Sequence, residues 1–426
     1  MKDTNIDTDP EPPYAAHIGI DWADKRHAIA LQVAGNGKIE ESWLDSDPES
    51  VHAWARSLGE RFGGAKIAIG VELSKGALIE ELRGYGSIDI YPLNPATTCR
   101  YRGAFTPSGA KDDMPDARLH LELVRQHRDK LRLMRPKAGA DRRVELLNSG
   151  RRKLVEMRTD LCNTLRSTLK GYYPLALEVG GELGTPISCK FLLKWPAFGE
   201  LKRARRATLR AFYYANGSRR ADTIDGRLEK IAAAEPVSED PDLIGPMAAF
   251  ATALARQIQT LAAEIGKLER QLKAAYAAHP DHEIWSSFPG AGPFLAPRLA
   301  AAWGSDREAY GTAGDMQLYS GIAPVTERSG NSTWVHRRYS RPHFIHQTFW
   351  EYAKQSCLHC GWAQLYVDAQ IARGKKHSTA VRSLAFKWIR IMAACWKQGE
   401  PYDDAQYLRA LQRKNSPLAA NLPAAA

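Results

Sequence analysis

Four carboxylates in the 426-residue sequence stand where acids can act together. Asp21 closes the apolar run HIGIDW, and Glu72 closes a second run, KIAIGVE. Asp113 and Asp116 lie in KDDMPDARLHLEL, where a helix would set both on one face. Strand ends and a facing helix can gather such groups into one acidic cluster. Like charges that close do not all stay ionised unless cations neutralise them. Mg2+ suits the cluster, being hard and satisfied by carboxylate and phosphate oxygens. Two such ions about 4 Å apart activate a nucleophile and stabilise the leaving oxygen in phosphodiester chemistry. Each acid alone also has a plainer reading, as a turn or cap residue, and Asp112 competes with Asp113.

Other residues suggest contacts to phosphate. Ser329 sits in the loop-like stretch GIAPVTERSGNSTW, with Arg328 before it, Gly330 after it and Ser332 nearby. A Ser beside Gly is commonly a turn residue, and no Ser/His/Asp order marks a hydrolase triad. Arg328, Arg337 and Arg338 could hold a phosphate or simply form a solvated basic loop. Gly290 and Gly292 in PGAGPFLAPRLA allow a tight turn whose amides approach a phosphate in helix–hairpin–helix style; an ordinary αα turn is the alternative. The run LKRARRATLRAFYYANGSRR, residues 201–220, carries Lys202, Arg203, Arg205 and Arg206 and no acid. Its Phe212, Tyr213 and Tyr214 could stack on RNA or single-stranded bases, or face a core. Cys357 and Cys360 form a lone CxxC, two short of a zinc site's four ligands, and read as inert thiols.

The elements that must position these groups follow from patterning. Residues 15–137 read as α/β: strands in HIGIDW, HAIALQVA and GKIEESWL, a helix near 48–62, a strand in KIAIGVE, a helix in LSKGALIEELRGYG and a strand in SIDIYPLNP. Residues 138–283 read as helical and basic. Leu254, Ile258, Leu261, Ile265, Leu268 and Leu272 form a heptad, coiled-coil-like seam that joins two copies or packs within one chain. Residues 284–412 read as mainly α, and 1–14 and 413–426 as flexible ends.

Composition narrows the partners. Lys plus Arg is 59 against 48 Asp plus Glu, a net charge of +11, which favours a polyanion. There is no run of 18 apolar residues, no lipidation motif and no secretory leader, so a membrane is not expected. Six scattered Cys make no disulfide framework and suit the reducing cytoplasm. Walker-A, strand-borne GxGxxG and HExxH motifs are missing.

Together these segments resemble the insertion-sequence-110 family of DEDD transposases, relatives of the Piv-type invertases. IGIDWADKRHAIAL, GVELSKGALIEELRGYGSIDIYPLNP and KDDMPDARLHLEL resemble its catalytic blocks, and the last selects Asp113 over Asp112. SFPGAGPFLAPRLAAAWG and LYSGIAPVTERSG resemble its second conserved block. The resemblance implies an RNase H-like, RuvC-type catalytic domain, a helical and coiled-coil middle and a C-terminal transposase domain. It implies Mg2+ on Asp21, Glu72, Asp113 and Asp116, with Ser329 as a nucleophile that forms a covalent phosphoserine. It also implies double-stranded DNA as substrate, a structured bridge RNA as guide, and a dimer or tetramer sharing acids and serine between subunits. One segment departs from the family: after Ser-Gly a Lys-x-Gly-Asn is usual, and here the chain reads RRYSRPHFIHQ. Three other readings compete. They are a junction-resolving nuclease using water, a non-catalytic nucleic-acid-binding protein, and an actin-like ATPase suggested by the first strand pair.

Overall fold

The computed structural model describes residues 14–105, 112–135 and 137–416. The chain divides into two compact units between residues 136 and 137. In the first, β1 (Ala16–Asp21), β2 (Arg26–Val33), β3 (Ile39–Asp45), β4 (Ile67–Val71) and β5 (Ile88–Pro92) form one sheet in the order β3-β2-β1-β4-β5. The first three strands are an antiparallel meander, and β1, β4 and β5 run parallel. β4 reads IAIGV and is buried throughout, as a central parallel strand must be. Helices α1 (Pro48–Arg61) and α2 (Ala77–Leu82) connect the parallel strands. Val51, Ala55, Leu58, Leu78, Ile79 and Leu82 of these helices share a core with Ile18, Ile20, Ile69 and Val71 of the sheet. α1 starts at Asp47, whose carboxylate accepts from the Ser50 amide at 2.8 Å, with Pro48 preset for the first turn. α3 (Pro95–Phe105) and α4 (Asp113–Gln126) complete the unit.

At two points α4 meets the sheet without a side-chain cushion, while Ala117 and Leu121 pack on Ala28 and Ala30 beside them. Gly19 of β1 and Gly70 of β4 are register partners. A Cβ on Gly19 would overlap the Ala117 carbonyl oxygen and the Leu121 amide of α4. One on Gly70 would come within 2.8 Å of the His120 carbonyl oxygen. The two glycines therefore let helix backbone rest on strand backbone.

The second unit is helical apart from one hairpin. α5 (Gly139–Tyr172) is followed by α6 (Leu175–Val179), α7 (Pro186–Lys194), α8 (Phe198–Arg203), α9 (Arg206–Ala215), α10 (Ala221–Ala233) and α11 (Pro241–Ala277). Then come α12 (His282–Ser286), α13 (Gly292–Trp303), α14 (Ala313–Tyr319), the hairpin β6 (Val325–Ser329) and β7 (Ser332–His336), α15 (His343–Ser356), α16 (Gly361–Ala372), α17 (His377–Gln398) and α18 (Asp404–Arg413). α5 and α11 pack as a long antiparallel pair. Gly150 faces Leu268, Gly171 faces Met247, and Arg151 pairs with Glu269 at 2.8 Å. The heptad seam is thus used inside the chain: Leu254, Ile258, Ile265 and Leu272 are buried, and the seam itself gives no reason to join two copies.

This pair spans two cores. One gathers Leu165, Tyr173, Phe191, Phe212 and Leu254. The other gathers Val144 and Leu272 with Trp285, Trp303, Phe349, Trp388 and Trp396. The division expected at 283/284 therefore runs through a shared core, because α5 and α11 are long enough to reach both. Among the described residues no helix is long and apolar enough to cross a membrane.

Candidate active site

The glycine seat decides where the acids stand. Side chains alternate along a strand, so Asp21 and Glu72, each two residues beyond a seat glycine, emerge on the face that α4 covers. α4 presents Asp113, Asp116 and His120 along one stripe, and Asp116 and His120 are buried. All four carboxylates share one electrostatic environment. Burial pushes Asp21 up to about 6, and the negative charges of Asp116, Asp113 and Glu72 add to the shift.

Three residues not singled out from the sequence hold these acids. Arg102 of α3 pairs with Asp116 at 2.6 Å. Thr98, one turn earlier on the same helix, donates to Glu72. His120 lies with Nδ1 2.9 Å from the Ile20 carbonyl oxygen and Nε2 3.4 Å from Glu72. The His120 contact, then Thr98, holds the Glu72 carboxyl below its usual range against the opposing effect of burial. The TTCRYR spacing could have indicated Thr98 and Arg102, since i and i+4 share a helix face.

Four carboxylates are the donor type a hard divalent cation takes, and one of them, Asp21, is held protonated to higher pH by burial and then by its acidic neighbours. The expected quartet is nevertheless not a closed shell. Among the described residues no three His, Cys, Asp or Glu groups lie together closely enough to hold an ion. The physical reason is that Asp116 is turned onto Arg102, and Glu72 onto Thr98 and His120.

Ser329 occupies a different setting. It ends β6, opposite Ser332, with Gly330 at φ 55° making the turn. Ser329, Arg328, Glu327, Ser332 and Trp334 line an open recess of about 440 Å³ on the ribbon. The sequence suggested a loop here; the structure makes a two-stranded hairpin. Arg337 and Arg338 follow β7 at the ribbon's base, whereas Ser329 is at its tip. Of the three arginines, Arg328 alone neighbours the serine in the chain.

The remaining candidates separate into used and unused. Gly290, at φ 77°, abuts α15: a Cβ there would lie 2.7 Å from His359 and 3.2 Å from the Gln355 carbonyl oxygen. Gly292, which starts α13, faces open space. In the basic run, Phe212 and Tyr213 are core residues, and only Tyr214 of the three aromatics is exposed. Arg206 and Arg210 both reach Asp225, and Lys202 donates to the carbonyls of Ala232 and Ala234 at 2.8 Å, closing α10. Arg203 and Arg205 make no ion pair among the described residues. Burial pushes the Cys360 thiol up to about 12, and it donates to Asp404 at 3.7 Å. A buried Ser/His/Asp set does exist in the second unit. Asp141 accepts from Ser305 Oγ at 2.7 Å and meets His279 Nε2 at 2.7 Å. His279 Nδ1 takes the Asp281 amide at 3.1 Å, so the ring has no face left for a nucleophile and the set is a structural clasp.

Comparison with known proteins matches two stretches of the chain to transposase models. The DEDD transposase model of the IS110 type, described as "Transposase", matches residues 18–174. The model "Transposase IS116/IS110/IS902 family" matches residues 282–368. The chain is 27% identical over 401 residues to the mini-circle putative transposase for IS117 of Streptomyces coelicolor, covering 92% of this chain and 97% of that protein. It is 25% identical over 402 residues to the IS110 uncharacterized 43.6 kDa protein of the same organism, covering 91% and 95%. It is 26% identical over 352 residues to the IS900 uncharacterized 42 kDa protein of Mycobacterium paratuberculosis, covering 80% and 86%. These comparisons define an enzyme of the DNA transposase class. Within that class the chain belongs to the IS110 family of insertion-sequence transposases.

Proposed function

We propose that the chain is the recombinase that moves its own insertion sequence, with an RNase H-like acidic domain and a serine nucleophile. The observation that carries the reading is the backbone seat of α4, which brings Asp113 and Asp116 beside Asp21 and Glu72. The strand order β3-β2-β1-β4-β5, an antiparallel meander continued by parallel strands, supports the RNase H-like assignment. Asp21, Glu72, Asp113 and Asp116 would hold Mg2+, which supplies positive charge for the phosphate and its leaving oxygen. Ser329 Oγ attacks phosphorus; the bond to the 3′ oxygen breaks, and that oxygen leaves as a hydroxyl with the proton given up by the serine. The phosphoserine conserves the bond for rejoining when a new 3′ hydroxyl attacks and the serine regains a proton. Arg328 borders the recess and is the cation next to Ser329 in the chain, although alternation along β6 starts its side chain on the opposite face. A bridge RNA would pair with donor and target DNA, with Arg203, Arg205 and Tyr214 available on the second unit's surface.

The test is covalent trapping. The full chain is incubated with Mg2+, labelled DNA carrying the element's ends and the RNA transcribed from its non-coding flank, then denatured. A protein-linked DNA strand is expected with the unaltered chain. Ser329→Ala should abolish it, and Asp21→Asn should reduce it at least about a thousandfold, roughly 4 kcal/mol of barrier. Cleavage without any linked protein would favour a water-using nuclease instead.

A further inference from the structure

At the base of the serine ribbon, arginines from two separated parts of the chain come together without acids. Arg337, Arg338 and Arg341 lie between β7 and α15, and Arg382 lies in the first turns of α17. Among the described residues none of the four makes an ion pair, although Arg151, Arg152, Arg298 and Arg307 of the same unit each do. They stand within electrostatic reach of one another. The Arg341 guanidinium is disfavoured by burial and by Arg337 and Arg382, and that of Arg382 by burial and by Arg337, with no carboxylate acting on either. The Nε atoms of Arg338 and Arg341 are buried and have no hydrogen-bond partner. Leaving such donors desolvated and unpaired costs free energy that a ligand can return.

The cluster is also built, not merely crowded. Gly321, at φ 67°, clears the path of the Arg341 stem: a Cβ there would lie 2.6 Å from Arg341 Cβ and 2.5 Å from its Cδ. Arg341 donates to the Arg338 carbonyl, which ties the loop together. His346 of α15 packs alongside with Nδ1 3.2 Å from the Ser320 carbonyl oxygen. Burial and then Arg341 push its imidazole down to about 4, so it stays neutral and does not add to the repulsion.

We propose that Arg337, Arg338, Arg341 and Arg382 form a binding site for one backbone phosphodiester of nucleic acid, separate from the phosphate that Ser329 attacks. Guanidinium groups fit phosphate oxygens in pairs. The five-residue strands put the cluster roughly 17 Å from Ser329, about the axial rise of five base pairs. Arg337, Arg338, Arg341 and Arg382 therefore fix where a strand lies along the ribbon and are positioning residues. Only the identity of the anion as nucleic acid rests on the recombinase reading.

Two measurements on the full chain test this. The first is the thermal midpoint in sodium phosphate against sodium chloride at matched ionic strength. Phosphate should raise the midpoint of the unaltered chain and of Ser329→Ala equally. Arg382→Gln should remove the rise, keep its midpoint in chloride, and recover part of the rise as Arg382→Lys. The second is binding of a labelled DNA duplex across a salt series, where Arg382→Gln should lower the slope of log K against log salt by about 1. A phosphate response and slope unchanged in both Arg382→Gln and Arg337→Gln would overturn the site. Strand linkage by the unaltered chain without a phosphate response would sink this site alone, and a phosphate response without strand linkage would sink the serine chemistry alone.

Discussion

The group of acids and the serine ribbon are made in opposite ways. At the acids the supports come from the unit's interior: a helix backbone on two glycines, Arg102 on Asp116, Thr98 and His120 on Glu72. On the ribbon almost every side chain faces outward; Trp334 is 62% and Val335 58% exposed. A two-stranded ribbon has little stability of its own in water. The acids thus owe their positions to the core of their own unit. The serine is presented on a surface that contributes little to the core of its unit. Changes around the acids should alter stability and chemistry together; changes on the ribbon should alter chemistry alone.

The largest expected effect is at the seat. Gly19→Ala forces α4 off the sheet and should cost about 3 kcal/mol or more. The ribbon's Gly330→Ala meets open space and should cost only about 1 kcal/mol for its left-handed backbone. Denaturant midpoints of the two variants measure the gap, and equal values would erase the contrast. Next is Arg102→Met, which strands Asp116 and should cost about 2 kcal/mol, less than a wholly buried pair because Arg102 is partly exposed. MgCl2 should return more of that loss than NaCl of the same ionic strength, by supplying another positive charge. No difference between the salts would mean that no cation replaces the guanidinium.

The smallest effect is a pH response. The Asp21 carboxyl is raised from 3.8 to about 6 in the folded chain, so folding takes up its proton. The stability this contributes is complete below about 3.8 and lost as pH rises through about 6. Lowering pH from 7 to 5 should therefore favour the unaltered chain over Asp21→Asn, whose side chain does not titrate. Parallel thermal midpoints across that range would refute the shifted carboxyl. On the ribbon, Trp334→Ala should leave the midpoint almost unmoved at either pH.

What could be read from sequence was what depends on local pattern. The runs HIGIDW, HAIALQVA, KIAIGVE and SIDIYPLNP became strands because apolar stretches bounded by turns have few other uses. The spacing of Asp113 and Asp116 did place both at the start of a helix. Glycine at 19 and 70 carried no such signal, since a glycine in a strand can mean a bulge, a bend or a close approach. Thr98 and Arg102 had only their i, i+4 spacing as a signal, and His120 had none, because the acids they meet lie on other elements. The ribbon was missed because exposed strands show no apolar alternation, although SGNS between VTER and TWVH is a short hairpin turn. The aromatics in the basic run were ambiguous, and the neighbouring core of Phe191 and Trp195 took Phe212 and Tyr213.

The missing side chains at Gly19 and Gly70 have a mechanical result. Packed layers normally keep a distance set by the side chains between them, and rotamer changes there let the layers breathe. Where peptide touches peptide, nothing between them can compress or swivel. The gap between the strand-borne and helix-borne acids is then machined to the tolerance of covalent geometry, and drift elsewhere in the domain has no adjustable spacer through which to change it.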